Sequence, residues 1–377
     1  MLYKKAVLVL AAVIVLAGGI VTGRELFILN SGKDQQISSD NISKEAAPVS
    51  ASAKPPSTIP IKGLADLVKE YGDLPLADAH NHDAGGYAYM RMIETWKRTS
   101  VDRIILFGNV SDPSAVETDA IAWKAYEEYP ALVIPFFSGI NLKDASSLEV
   151  VKLNLEKGYF GIGEIAAASV NSPALRNVPW KTDHAMDGFL PQIYELAAQY
   201  KVPLLLHIDP PSGGPVYQLE EALEAYPDTQ FIFAHANAYN SPDNIRQLLA
   251  KHPNLYADFF AGFTASNPES ANKLEHFVPV MKEFPDRFML STDSGYGLKS
   301  EELAIEGMYR LIDELGDKAL ARKIAYDNLD ALIKYQPATA TQLEAIRNMK
   351  LAAGQTYDAS GLTKVEAAKL LLKKVPK

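Results

Sequence analysis

The stretch "LADAHNHDAGG", residues 76–86, sets His80 and His82 one residue apart at the end of an apolar run. Alternate residues of an extended chain point the same way, so both imidazoles can face one side. At neutral pH an imidazole either shuttles a proton or binds a divalent cation. Four more residues hold matching places: Glu164 in "GIGEI", His207 after "VPLLL", His235 in "FIFAHA" and Asp293 in "FMLSTD". Each closes an apolar run of strand length. Singly, each has an ordinary reading. A strand-end His is commonly a hydrogen-bonded core group, and Asp293 in "STDSG" could cap the next helix. The set does not fit that reading, because four of the chain's seven histidines fall at these positions. Burying four imidazoles and two carboxylates together without a cation would strand polar groups at high cost. A divalent metal removes that cost. The other three, His184, His252 and His276, read as surface residues of loops or helices. Asp78 reads as a structural carboxylate.

These residues need elements that bring them together. Eight apolar runs read as strands: 75–79, 102–108, 131–138, 159–165, 202–208, 230–236, 254–260 and 287–293. Helical stretches such as 186–200 alternate with them. Ser241-Pro242-Asp243 and Asn267-Pro268-Glu269 each combine an N-cap, a Pro in the first turn and an acid, a helix-start signature. Apolar strands alternating with helices predict a parallel sheet covered by helices. Eight such units predict an α/β fold, the (β/α)8 TIM barrel, whose functional residues gather at the C-terminal ends of the strands. A doubly wound open sheet competes. The count of eight and the lack of a Gly-rich fingerprint after the first strand favour the barrel.

The 377 residues are 47% hydrophobic and 22% charged, enough for one large core. The net charge of −9 gives no electrostatic drive toward nucleic acid. There is no Cys, which excludes disulfides, thiolate ligands and Cys nucleophiles. Lys4 and Lys5 precede 17 uncharged residues, 6–22, the pattern of a secretory signal peptide or an uncleaved signal anchor. Residues 1–30 are read as that segment and 31–60, rich in Ser, Pro, Ala and Lys, as a flexible linker. The barrel is assigned to 61–335 and a helical extension, with stretches 339–354 and 363–375, to 336–377. The basic flank implies an exported domain, either membrane-anchored or secreted. The barrel is expected to fold without residues 1–60.

The site pattern resembles the metal-dependent amidohydrolase superfamily over about residues 73–335. The matching features are HxH after strand 1, a carboxylate after strand 4, His after strands 5 and 6, and Asp after strand 8. "RFMLSTDSG" with the later "KIAYDNLDALI" resembles the amidohydrolase-related (amidohydrolase 2) subgroup. Glu164 stands where many binuclear members carry a carboxylated Lys, and is similar to the Glu of TatD-like nucleases. The resemblance implies that His80, His82 and Asp293 hold one metal, and that Glu164 bridges to a second held by His207 and His235. Nitrogen and oxygen ligands suit zinc first, with manganese, iron or nickel open, and one or two ions. It also implies that Asp293 is the general base for water attacking a small ester, lactone, amide or phosphoester. Substrate contacts are expected from the long loop 166–185, through Arg176 and Trp180, and from Tyr296. Arg176 and Lys181 point to an anionic substrate. Two other classes stay open: a decarboxylase using the same metal site, and a non-catalytic exported domain that binds metal or a partner. A TatD-like nuclease is disfavoured by the acidic charge and the export signal.

Overall fold

The structure, a computed structural model, describes residues 62–209, 217–267 and 270–372. The signal or anchor segment, the 31–60 linker, and Pro268 and Glu269 of the second helix start lie outside the described residues.

All eight expected strands form: β1 (Leu76–Asn81), β2 (Val101–Leu106), β3 (Val133–Phe137), β4 (Gly161–Ala166), β5 (Leu204–His207), β6 (Phe231–Phe233), β7 (Leu255–Phe260) and β8 (Phe288–Ser291). Each pairs in parallel with its successor, in plain chain order. This is a TIM barrel. A doubly wound sheet would reverse its strand order at a switch point. Strands β1, β3, β4, β5, β6 and β8 are buried along their whole length. That explains the continuous apolar runs, since helices cover the outer face and side chains fill the inner one. Asp78 ties β1 to β8 across the seam. Its carboxylate accepts from Thr292 N (2.9 Å) and Thr292 Oγ1 (2.5 Å), and from His80 N and Asn81 Nδ2 (both 3.1 Å).

Two elements differ from expectation. β6 ends at Phe233 because His235 turns into the left-handed region at φ +37° and opens a short helix, Ala236–Tyr239. The His235 amide donates to Asp258 Oδ2 (2.9 Å) instead of to the sheet. The helix expected over 186–200 starts at Leu190. Pro191 favours that start, because proline suits the first turn of a helix, where its missing N–H costs nothing. His252 also departs from expectation. It is 3% exposed, with Nε2 3.3 Å from Glu220 Oε1, and is not a surface residue.

The C-terminal helices Ala340–Ala352 and Lys364–Leu371 each open with a capping box, Thr339 with Gln342 and Thr363 with Glu366. Gln336 Nε2 donates to Phe160 O (2.8 Å), Thr339 Oγ1 to Glu156 O (2.7 Å) and Lys364 Nζ to Tyr159 O (2.7 Å). All three acceptors precede β4, so this extension docks at the end of the barrel away from the strand C-termini. Burial pushes the Lys364 ammonium down to about 7, with Glu156 opposing. A lysine depressed on folding is destabilising below its folded value, and the penalty fades as pH rises toward its unfolded value. Lys364→Met should therefore raise the melting temperature at pH 6, by at least about 2 °C. The gain should shrink or reverse at pH 9, where the variant still lacks the bond to Tyr159. Thermal melts at the two pH values check this.

Candidate metal centre

The barrel delivers all six strand-end residues to one place. His80 and His82 leave β1 on the same side, Glu164 lies in β4, His207 closes β5, His235 follows β6 and Asp293 follows β8. They form two groups with converging donor atoms: His80, His82 and Asp293, and Glu164, His207 and His235. His80 Nε2 and His82 Nε2 are 3.0 Å apart, and Asp293 Oδ1 lies 3.5 Å and 3.3 Å from them. In the other group Glu164 Oε1 is 3.1 Å from His207 Nδ1 and 3.2 Å from His235 Nε2, and those two nitrogens are 3.1 Å apart. Glu164 serves both groups, because its Oε2 faces His80 Nε2 (3.8 Å) and His82 Nε2 (3.6 Å).

The hydrogen bonds fix two of the tautomers. His80 Nδ1 lies 2.8 Å from Asp258 Oδ2, and His82 Nδ1 lies 2.8 Å from Gly108 O. A carboxylate and a carbonyl only accept, so both Nδ1 atoms carry the proton. In the neutral rings both Nε2 atoms are then lone pairs, facing each other with carboxylate oxygens on either side. Such a cluster of acceptors repels itself unless a cation lies among them. Ligands about 2.0–2.1 Å from a shared tetrahedral ion would stand roughly 3.3 Å from one another, close to the spacings here. The donor set therefore fits a divalent ion.

The electrostatics agree. Burial opposes ionisation of Glu164, but His80, His207 and His235 outweigh it and hold its carboxyl well below the usual carboxylate range. Burial opposes Asp293 too, and His80, His82 and His235 keep its carboxyl low. Burial alone would lower the imidazoles; Glu164 with Asp293 and Asp258 instead pushes His80 up to about 10, and Glu164 with Asp209 pushes His207 up to about 9. The carboxylates thus require compensating positive charge. Protons on the imidazoles or a metal in their place can supply it.

Backbone geometry underlies the placement. His235 (φ +37°) and Asp293 (φ +46°) both sit in the left-handed region, uncommon for residues other than glycine. Such strain persists where surrounding structure over-determines it and clusters at functional sites. Gly163, at φ +130°, lets Glu164 reach the centre, since a Cβ there would collide with Leu205 O and lie 2.8 Å from Leu205 Cβ. Gly163→Ala should cost about 1–3 kcal/mol of stability and weaken metal binding by moving Glu164. Denaturant unfolding and metal titration of the variant would show it.

A cavity of about 370 Å³ opens over the two groups. Tyr296 lines it with Tyr239, Phe260, Phe263, Leu175 and Val110. Arg176 and Trp180 are not among its lining residues: Arg176 is exposed, and Trp180 is half-buried with its amide bonded to Ser111 O (3.1 Å). The same loop instead contributes Ser172, Ala174 and Leu175. The reason is Asp209, whose carboxylate accepts from the amides of Val170 (2.7 Å), Asn171 (2.9 Å) and Ser172 (2.6 Å) and pins the start of the loop against the end of β5. Burial opposes its ionisation, but His207 and these amides hold its carboxyl down to about 2.

Two residues of this site escaped the sequence reading. Asp209 follows His207 by two positions, and Asp258 interrupts the apolar run "LYADFF". Asp258 is fully buried and orients both the His80 ring and the His235 backbone. An acid inside an apolar strand was the available signal.

Residues 155–329 match the amidohydrolase family model, in line with the resemblance read from the site residues. Among solved structures, the chain is similar to an uncharacterized TIM-barrel protein of Bordetella bronchiseptica, at 14% identity and a TM-score of 0.52, over 69% of this chain and 98% of that one. It is also similar to the 2,6-dihydroxybenzoate decarboxylase from Rhizobium, at 13% identity and a TM-score of 0.46, over 69% of this chain and 98% of that one. A probable 2-pyrone-4,6-dicarboxylic acid hydrolase from Acinetobacter baumannii, with citric acid bound, matches at 16% identity and a TM-score of 0.45, over 69% and 99%. No curated protein matches the chain.

Proposed function

We propose that this protein is a metal-dependent hydrolase acting on a carbonyl or phosphoryl centre of a small molecule. The observation that carries the reading is the convergence of His80 Nε2 and His82 Nε2, 3.0 Å apart and with their other nitrogens engaged, on Asp293 and Glu164. His80, His82 and Asp293 would hold one ion, and Glu164, His207 and His235 a second. The donor set suits zinc, with manganese, iron and nickel as alternatives. A divalent ion there supplies Lewis acidity and brings the pKa of a bound water to about 7.

The protein's own groups do the rest. Asp258 and Gly108 O keep the Nε2 atoms of His80 and His82 free to act as ligands. Asp293, ionised at neutral pH, takes the proton from the attacking water and returns it to the leaving group. Burial, with Asp209 and Glu164, pushes the Tyr239 phenol up to about 12. It therefore stays neutral and can donate a hydrogen bond to a substrate oxygen at the cavity wall. The apolar lining keeps bulk water from the reacting centre.

The test is hydrolysis of an ester, lactone, amide and phosphoester panel by purified protein, before and after chelation and after zinc is restored. Turnover of at least one class, lost on chelation and regained with metal, is expected. Turnover indifferent to chelation sinks the reading. Release of carbon dioxide from aromatic acids, with no hydrolysis, would replace it with the decarboxylase.

A further inference from the structure

The cavity over the two donor groups has an apolar wall without a basic side chain among the described residues. Its apolar wall is built from Val110, Leu175, Tyr239, Phe260, Phe263 and Tyr296. Every other ionisable side chain in the lining is one of the six groups of the centre: His82, Glu164, His207, His235 and Asp293 line it, and His80 lies behind them. Among the described residues that line it there is no Arg and no Lys. Residues 210–216, Pro-Pro-Ser-Gly-Gly-Pro-Val, carry no charged side chain in the sequence. Arg176, the basic residue expected to meet an anion, is exposed outside the lining.

Resting on the hydrolase reading of this site, we propose that its substrate is a neutral aryl or similarly flat apolar ester or lactone, with no charged group on the part that fills the cavity. A carboxylate placed against this apolar wall, away from the two donor groups, would lose its hydration with no Arg or Lys among the described lining residues to replace it. Four aromatic rings, by contrast, offer flat faces to a flat apolar body. The volume of about 370 Å³ suits a molecule of one ring with short substituents. In the reaction, water oxygen bonds to the acyl carbon and the acyl C–O bond breaks. One water proton passes to the leaving phenol or alcohol, and the acid product releases the other to solvent.

Three phenyl acetates carry the test: phenyl acetate, 4-acetoxybenzamide and 4-acetoxybenzoate. The last two have nearly the same shape and differ in charge. The metal-loaded protein should favour the benzamide ester over the benzoate ester in kcat/KM by roughly tenfold or more. Ala174→Arg places a cation on the cavity wall at an exposed loop position and should narrow or invert that preference. Phe263→Arg, from the helix Ala261–Ser266, is the second variant should the loop rearrange. Equal or better turnover of the benzoate ester by wild type overturns the proposal, and so does a preference that neither Arg variant reduces. If no acetate is hydrolysed, the hydrolase reading is judged separately by the ester, lactone, amide and phosphoester panel. Calorimetric binding of 4-hydroxybenzamide and 4-hydroxybenzoate then decides this proposal: tighter binding of the amide supports it, while tighter binding of the benzoate, or binding of neither, overturns it.

Discussion

Replacing both histidines of the β1 motif, His80→Ala with His82→Ala, is expected to abolish turnover and strip the His80, His82 and Asp293 group of its metal. The two rings provide two of that group's three donor atoms, and their Nε2 atoms also face Glu164 Oε2. An ion left with Asp293 and one oxygen of Glu164 would be held by carboxylates alone, too weakly to survive dialysis. The fold should survive better than the site. The substitution removes a repulsive cluster of lone pairs, and Asp78, the seam residue of β1, keeps its bonds to Thr292. Asp258 would lose its His80 partner, at a cost of roughly 1–3 kcal/mol for a buried group left unpaired. Metal content by mass spectrometry and a far-UV spectrum on the same preparation separate ligand loss from unfolding. Full metal content in a folded double variant would contradict the ligand assignment.

Asp293→Asn separates catalysis from metal binding. The amide keeps the shape and one acceptor oxygen, but it cannot take a proton at neutral pH. General acid–base assistance is worth about 10²–10⁴-fold in rate, so turnover should fall by at least that much. His80 and His82 remain 3.0 Å apart as donors, so most of the metal should be retained, though more weakly. Metal and turnover must be measured on one sample, because Asp293 Oδ1 also faces both imidazoles. Near-normal turnover with metal in place would reduce Asp293 to a turn-forming residue.

The barrel and the six candidate ligands were legible in the sequence for one physical reason. A parallel strand buried on both faces is a continuous apolar run, and a polar residue at its end stands out. The runs ending in His80, Glu164, His207, His235 and Asp293 all follow that rule. What could not be read was anything fixed by contacts distant in sequence. Asp258 breaks an apolar strand, and only the fold brings it to His80, 178 residues away. Arg176 looked like a substrate contact because it lies in the longest loop. The direction of that loop, however, is set by Asp209 capturing three successive amides, from Val170 to Ser172, which composition does not reveal. The early end of β6 has the same origin, since the His235 amide answers to Asp258 rather than to its own strand.

Counting metal ions bears most directly on the account. The protein should be purified without chelator, loaded with zinc, dialysed exhaustively and analysed by mass spectrometry against its own concentration. Two equivalents are expected, one for His80, His82 and Asp293 and one for Glu164, His207 and His235. One equivalent would contradict the second site and leave Glu164, His207 and His235 as a polar core. No retained metal would contradict the account as a whole.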